Sequence, residues 1–235
     1  MLGAIAGDII GSVHEYIGTK TTTFELFHPR CGFTDDTVLT IAVADCLLHG
    51  LDYVTAFHDY VRSYPGAGYG VRFHRWAAAR DTEPYHSWGN GSAMRVSAVA
   101  YAFDSLEKVL SEAKRSAEVT HNHPEGVRGA EATAAAIFLA RQGESKSAIK
   151  KSIEAQFGYD LSPTLNDLRP TSNSTNPAKI PSPPPSSPSW NQRTLKMRSV
   201  MRYHWVETRT LWRASPEASP KLIIAEFPRT SRTNA

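Results

Sequence analysis

The sequence is organised around the stretch Phe33-Thr34-Asp35-Asp36-Thr37, which lies between a polar segment, 27–32, and an apolar run, 38–48. Two adjacent aspartates beside a threonine hydroxyl offer three oxygen ligands within one turn, a pattern that suits a hard divalent cation. The same residues also suit the start of a helix, because threonine and aspartate cap helix N-termini and acidic residues are favoured in the first turn. Taken alone, the stretch favours capping over metal binding, and the rest of the sequence has to decide between them.

Hydrophobic periodicity predicts an all-α fold. The helix at 38–48 is apolar on nearly every side and should be central, whereas the helix at 126–141 is rich in alanine and should pack tightly in the core. No strong strand pattern precedes residue 171. The expected helices cover residues 1–16, 38–48, 54–63, about 91–102, 106–119, 126–141 and 145–157.

Three further groups of residues are candidates for a site, each with a plainer alternative. Asp8 and Glu15 lie seven apart in the first helix, on the same side, and could equally be surface carboxylates. The segment Gly89-Asn90-Gly91-Ser92 would expose backbone N–H groups to an anion such as a phosphate, or form an ordinary capped turn. His121 and His123 could bind a metal or a ring system, or hydrogen-bond their own loop.

Composition is typical of one domain of ordinary size, with 235 residues of which 41% are hydrophobic. The two cysteines, Cys31 and Cys46, match no metal spacing, which favours free thiols in a reducing compartment. The first 13 residues are apolar, but they lack a basic start and are interrupted by Asp8. We therefore expect a soluble, cytoplasmic protein without a membrane partner.

Charge is distributed unevenly along the chain. From residue 172 onward there are ten Lys or Arg against three Glu, a balance of +7, so the rest of the chain has 16 basic and 20 acidic residues, a balance of −4. Neither interleaved aromatic residues nor a known binding motif accompanies the basic segment. A nucleic acid is therefore not an expected partner.

Four segments, taken in order and spacing, resemble the ADP-ribosylglycohydrolase family, the relatives of the dinitrogenase reductase-activating glycohydrolase. They are G-D-I-I-G-S-V-H-E at 7–15, F-T-D-D-T at 33–37, G-N-G-S-A-M-R at 89–95 and T-H-N-H-P-E-G at 120–126. The resemblance runs from residue 1 to about residue 171. Four motifs in order are much more specific than any one of them, and they favour the metal-binding interpretation of the aspartate pair.

The resemblance implies an all-α orthogonal bundle with a two-magnesium centre in a cleft that takes ADP-ribose. It implies hydrolysis of the glycosidic bond that links ADP-ribose to a protein side chain or small acceptor, so the implied partner is an ADP-ribosylated protein or a small ADP-ribose conjugate. Carried over by motif, the residues are Thr34, Asp35 and Asp36 as metal ligands, Glu15 as general acid or base, Gly89, Asn90, Gly91 and Ser92 at the phosphates, and His121 bordering the ligand.

The C-terminal part departs from the family pattern, which has a further motif of the form G-G-D-S-D-T that completes the metal cage. Residues 172–235 contain no Gly and no Asp, but nine of the 15 Pro. Reading the codons of 205–213 one base out of frame permits G-G-D-S-D-T-L-A, and the same shift across 177–191 permits C-Q-D-T-V-P-P-A-I-I-A-F-L-E. The pattern predicts a frameshift near codons 171 and 172.

Two regions follow from this interpretation. Residues 1–171 would form an incomplete helical domain, a truncated bundle, and residues 172–235 a disordered basic tail rich in Pro and Ser. The expected function is a magnesium-dependent hydrolase whose activity is impaired in this chain. The alternative is a catalytically inactive remnant or a weak ADP-ribose-binding protein.

Overall fold

The computed structural model describes residues 1–17, 24–25 and 27–162, and every regular element in this part of the chain is helical. The prediction of an all-α fold is confirmed. The predicted tail, 172–235, and the frameshift lie outside the described residues. The described α-helices are α1 (Leu2–Ile17), α2 (Asp35–His49), α3 (Tyr53–Ser63), α4 (Val71–Ala78), α5 (Gly91–Met94), α6 (Val99–Ala102), α7 (Leu106–Glu118), α8 (Pro124–Arg141) and α9 (Lys146–Phe157).

Helix α2 lies at the centre of the larger hydrophobic cluster, as its apolar sequence predicts. Leu39, Ala42 and Val43 are almost completely buried. The helix begins three residues before the predicted start, because Thr34 caps it and its hydroxyl accepts a hydrogen bond from the N–H of Asp36. It ends at Gly50, whose positive φ of 65° closes the last turn. The aspartate pair is therefore the first turn of the central helix.

Helix α8 joins the two hydrophobic clusters of the described part. It packs along α7 and also contacts α5, α6 and α9. Its alanines at 130, 132, 134 and 135 are fully buried, and side chains of this size let neighbouring helices approach closely. The prediction of a tightly packed, alanine-rich helix is confirmed, with the start at Pro124.

The structure differs from the sequence-based expectation in two places. The helix expected at about 91–102 is divided into α5, a 3-10 turn at Val96–Ala98, and α6. The division comes at Arg95, whose backbone lies at φ −100°, ψ −4° and whose side chain is completely buried. Helix α4 was not expected; it is a two-turn helix that buries Phe73 and Trp76 on one side.

Two smaller observations concern the composition-based expectations. Cys31 and Cys46 are both free thiols, as expected. None of the helices in the described ranges has the length and apolar character needed to cross a membrane.

Candidate active site

Asp8 connects helix α1 to the first turn of helix α2. Its Oδ2 accepts hydrogen bonds from the N–H of Thr34 at 2.7 Å, from the N–H of Thr37 at 3.2 Å and from the Thr37 hydroxyl at 2.5 Å. Its Oδ1 accepts a fourth from the Thr34 hydroxyl at 2.5 Å. Two of these donors are backbone groups at a helix N-terminus, where no carbonyl of the same helix is available. Asp8 thus fixes the position of the aspartate pair.

The glycine-rich loop at 66–70 also contacts this helix end. The N–H of Asp35 donates to the carbonyl of Ala67 at 2.7 Å. Tyr69 lies near Asp35, and burial, followed by the charge of Asp35, raises the pKa of Tyr69. The loop therefore borders the aspartate pair.

Four carboxyl groups interact electrostatically at this end of α2, and three of them have raised pKa values. Burial, then the charges of Glu15 and Asp8, raise the pKa of Asp35 to about 7. Burial raises the pKa of Asp36 well above its usual range, with Asp35, Asp8 and Glu15 adding to the effect. Glu15 lies at the exposed edge of the group, where loss of solvent on its inner side, followed by the charge of Asp8, raises its pKa.

The chemistry of these donors fits a hard cation, although their number is small. No cationic side chain in the described part lowers the pKa of Asp35 or Asp36, so their charges receive no counter-ion from the described residues. Carboxylate oxygens are the ligands that Mg²⁺ prefers. Within the described ranges, however, no three or more His, Cys, Asp or Glu side chains form a group that could hold a metal ion. The donor atoms of these residues are of the kind that a divalent cation prefers, but the described residues do not make up a full coordination shell.

The second predicted group, the segment Gly89–Ser92 and His121, comes together at the start of helix α8. A Cβ on Gly91 would lie 3.3 Å from Nε2 of His121, and a Cβ on Gly89 would lie 3.7 Å from the same atom. The imidazole ring therefore packs against the two glycines. Gly89 and Asn90 are exposed, so this loop presents its backbone to solvent beside a histidine that is almost completely buried.

Ser92 has a different position from the one the motif implies. It is completely buried, and its hydroxyl donates to the carbonyl of Gly126 at 2.8 Å. It therefore fastens the loop to α8. Helix α5, which follows the loop, has only four residues, so the argument from a long helix dipole does not apply to this segment.

Helix α2 contacts both groups. The hydroxyl of Thr40, on the second turn of α2, donates to the carbonyl of Met94 at 3.4 Å. The structure thus places Glu15, Thr34, Asp35 and Asp36 together at one end of α2, and the loop 89–91 with His121 beside a later turn of the same helix. In the described part of the chain, no hydrogen bond or ion pair joins the two groups directly.

Sequence reasoning missed the connecting residues. Asp8 was noted only as a companion of Glu15, and Thr37 was not assigned a role. The sequence contained a pattern that could have predicted this contact. Two threonines three residues apart at the start of a helix suit hydrogen bonds to a carboxylate on another helix. The contact of Arg95 with Thr120 joins positions 25 apart and has no local sequence signal.

Comparison with known proteins gives a family for the chain. The sequence profile described as ADP-ribosylglycohydrolase matches residues 1–206. The ADP-ribosylhydrolase ARH3 of Bos taurus is 34% identical over 182 residues, covering 63% of this chain and 50% of the relative. The Homo sapiens protein of the same name is also 34% identical over 182 residues, with the same two coverages. That of Mus musculus is 31% identical over 182 residues, covering 63% of this chain and 49% of the relative.

The coverage of the relatives and the extent of the profile match both bear on function. The chain spans about half the length of the curated relatives it matches. The profile match extends past residue 171, into the segment for which the sequence predicts a shifted reading frame. The frameshift stays a prediction.

Proposed function

The chain belongs to the ADP-ribosylglycohydrolase family, and we propose that it acts on ADP-ribose conjugates by hydrolysing the glycosidic bond between ADP-ribose and a protein side chain or small acceptor. The observation that carries this proposal is the cluster of four carboxyl side chains at the start of α2. Asp35 and Asp36 are partly buried, receive no compensating positive charge from the described residues and lie within electrostatic reach of Glu15. Such an arrangement is costly for folding and is typical of functional sites.

We propose Mg²⁺ as the cofactor, held by Thr34, Asp35 and Asp36. A bound divalent cation would supply the positive charge that compensates the two aspartates, polarise nearby oxygen groups and lower the pKa of a bound water. The Thr34 hydroxyl donates to Asp8 and accepts from the N–H of Asp36, so one lone pair of its oxygen remains for a ligand interaction. Asp8 orients this hydroxyl and holds the first turn of α2 in place.

Glu15 is proposed as the general acid or base. Its side chain is accessible at the edge of the carboxylate group, and its raised pKa brings proton exchange closer to neutral pH. A carboxyl group in that position can take a proton from an attacking water or deliver one to the departing acceptor. Its inner neighbours keep their places through the contacts of Asp8 with α2.

The loop 89–91 and His121 are proposed to bind the ADP-ribose part of the substrate. Gly89 and Asn90 are exposed, and the glycines leave room for a ligand to approach the backbone closely. Ser92 supports the loop from behind through its hydrogen bond to Gly126.

Release of ADP-ribose from ADP-ribosylated serine or arginine peptides tests the hydrolase proposal. We expect slow release by the full 235-residue chain in the presence of Mg²⁺, because the described residues supply only part of a metal site. Release should be abolished in Glu15→Gln and in Asp36→Asn. The matched controls, Glu107→Gln and Asp59→Asn, remove exposed carboxylates on α7 and α3 and should behave as the wild type.

The absence of a complete metal group in the described part also favours a second candidate, a non-catalytic protein that binds ADP-ribose weakly. Calorimetry with ADP-ribose separates the two. Binding without release at any Mg²⁺ or Mn²⁺ concentration would establish the second candidate, and neither binding nor release would contradict both.

A further inference from the structure

Arg95 is a completely buried cation without an acidic partner in the described part of the chain. Its Nη2 donates to the carbonyl of Ser116 at 2.9 Å and to the hydroxyl oxygen of Thr120 at 3.0 Å. The guanidinium carbon lies 4.3 Å from the centroid of the Phe57 ring, which provides a favourable face for the charge. Among the described residues, the contacts of this buried charge are therefore with a carbonyl, a hydroxyl and an aromatic ring.

The direction of these hydrogen bonds determines the proton on His121. Arginine is only a donor, so the Thr120 oxygen must accept from Arg95. Thr120 is completely buried, and the acceptor that its own hydroxyl reaches within the described ranges is Nδ1 of His121, at 2.8 Å. If Nδ1 carried the proton instead, the Thr120 oxygen would accept with both lone pairs and its buried hydroxyl hydrogen would have no acceptor among the described residues. The favoured arrangement therefore leaves Nδ1 unprotonated and puts the ring proton of the neutral imidazole on Nε2.

The electrostatic surroundings of the ring agree with a neutral imidazole. Burial lowers the pKa of His121 well below its ordinary value, and the positive charges of Arg95 and Arg72 lower it further. The other titratable group facing the ring is Tyr85, whose ring centroid is 6.2 Å away. Arg72 itself is held over the Tyr85 ring and donates to the Tyr85 carbonyl.

The opposite edge of the ring faces the loop 89–91. Nε2 has no hydrogen-bond partner among the described residues, and it is not completely shielded from solvent. It lies against Gly91, where even a methyl group would come within 3.3 Å. An N–H on Nε2 would therefore lie beside the exposed backbone of this loop.

We propose that Arg95 and Thr120 are positioning residues that hold His121 as the Nε2–H tautomer, so that it donates a hydrogen bond to an oxygen of the bound ligand. The identity of that ligand as ADP-ribose rests on the proposed function, whereas the tautomer rests on Arg95 and Thr120 alone. A fixed neutral donor discriminates in favour of an oxygen acceptor, such as a phosphate or hydroxyl oxygen, and against a donor group at the same place.

The tautomer is measured by ¹⁵N NMR of the full chain labelled at histidine, with His121→Gln used to assign the signal. We expect His121 to be neutral with its proton on Nε2 between about pH 6 and pH 8, across the range in which an ordinary imidazole titrates. A proton on Nδ1, or a ring that charges near pH 6.5, would overturn the proposal. This measurement needs no ligand.

Thr120→Val removes the hydroxyl at nearly constant volume, and Thr120→Ser keeps it. In the valine variant the tautomers should become mixed, and the Kd of ADP-ribose should rise roughly ten-fold. The serine variant should restore the wild-type tautomer and bring the Kd within about two-fold of wild type, the residual difference being less than one hydrogen bond. An unchanged tautomer in the valine variant would contradict the proposal. A correct tautomer in a wild-type protein that binds no ADP-ribose would instead overturn the proposed function.

Discussion

Replacing Asp8 by alanine should loosen the first turn of α2 and destabilise the protein. Asp8 is half-buried and accepts four hydrogen bonds, two from the backbone N–H groups of Thr34 and Thr37 and two from their hydroxyls. After truncation the hydroxyls can turn towards water. The N–H groups are fixed by the helix and lose their acceptor.

The expected cost combines two opposing effects. A hydrogen bond to a charged acceptor contributes about 1.5–3 kcal/mol, and the lower value for each of the two N–H groups gives about 3 kcal/mol. Removing one negative charge from beside Asp35, Asp36 and Glu15 relieves repulsion that is on the order of 1 kcal/mol at a partly solvated site. The net loss for Asp8→Ala is therefore about 2 kcal/mol, or a fall in Tm of about 4–8 °C for a domain of this size.

Urea unfolding followed by far-UV circular dichroism measures this loss. Asp8→Asn keeps an oxygen that can accept from both N–H groups and also removes the charge, so it should lose less than about 1 kcal/mol. Asp59→Ala is the matched control, because the Asp59 carboxylate on α3 is about half exposed and pairs, within the described ranges, with the exposed side chains of Arg62 and Arg80. This change should stay within about 0.5 kcal/mol. If Asp8→Ala were as mild as Asp59→Ala, the hydrogen bonds of Asp8 would not hold α2 in place.

Three other predictions follow from the described residues and the sequence. Gly126→Ala should destabilise the protein by about 1–3 kcal/mol, because its Cβ would lie 2.7 Å from the carbonyl oxygen of Ser87. Gly129→Ala should instead stabilise the helix by up to about 1 kcal/mol, because nothing lies within 4 Å of its Cβ. Urea unfolding of the two variants should give this order of stability. Below about pH 6.5, His121 is protonated in the unfolded chain but stays neutral in the folded protein, so the free energy of unfolding falls as the pH falls. In His121→Gln this fall should be shallower by up to about 1.4 kcal/mol per pH unit. Parallel profiles of unfolding free energy against pH would contradict a depressed pKa of His121. Inserting one base near codon 171 should restore the motif G-G-D-S-D-T and give Mg²⁺-dependent release of ADP-ribose, and a repaired, helical chain without release would contradict the hydrolase proposal.

The sequence predicted the fold class and most helices because apolar periodicity is strong in this chain. The bounds of α3, α7 and α9 agree with the periodic pattern to within one or two residues. The sequence-based prediction was wrong at α5 and α6, where the apolar pattern continues but the helix is interrupted at Arg95. There the burial of one long cationic side chain, a tertiary effect, overrides local helix propensity.

The sequence pointed to residues that lie near one another in the structure, but it did not predict the contacts that connect them; their roles in a site stay predictions. The motif identified Thr34, Asp35 and Asp36, and the structure shows that capping and proximity to other carboxylates occur together, so the two interpretations of this stretch are not exclusive. Glu15 was likewise identified. The hydrogen bonds of Asp8 cross 26 and 29 positions, and no local pattern specifies which acceptor a threonine hydroxyl will find at that separation.

Helix α2 explains how a site made of separate motifs keeps one geometry. Its first turn carries Asp35 and Asp36 and is held by Asp8, and its second turn contacts Met94, next to the buried Arg95 that acts on His121. Around these contacts the helix is almost completely buried at Leu39, Ala42 and Val43. A packed helix transmits displacement as a rigid element because interiors are close-packed. The packing of this one helix therefore sets the distance between the carboxylates and the histidine loop, which allows both groups to be placed against a single ligand.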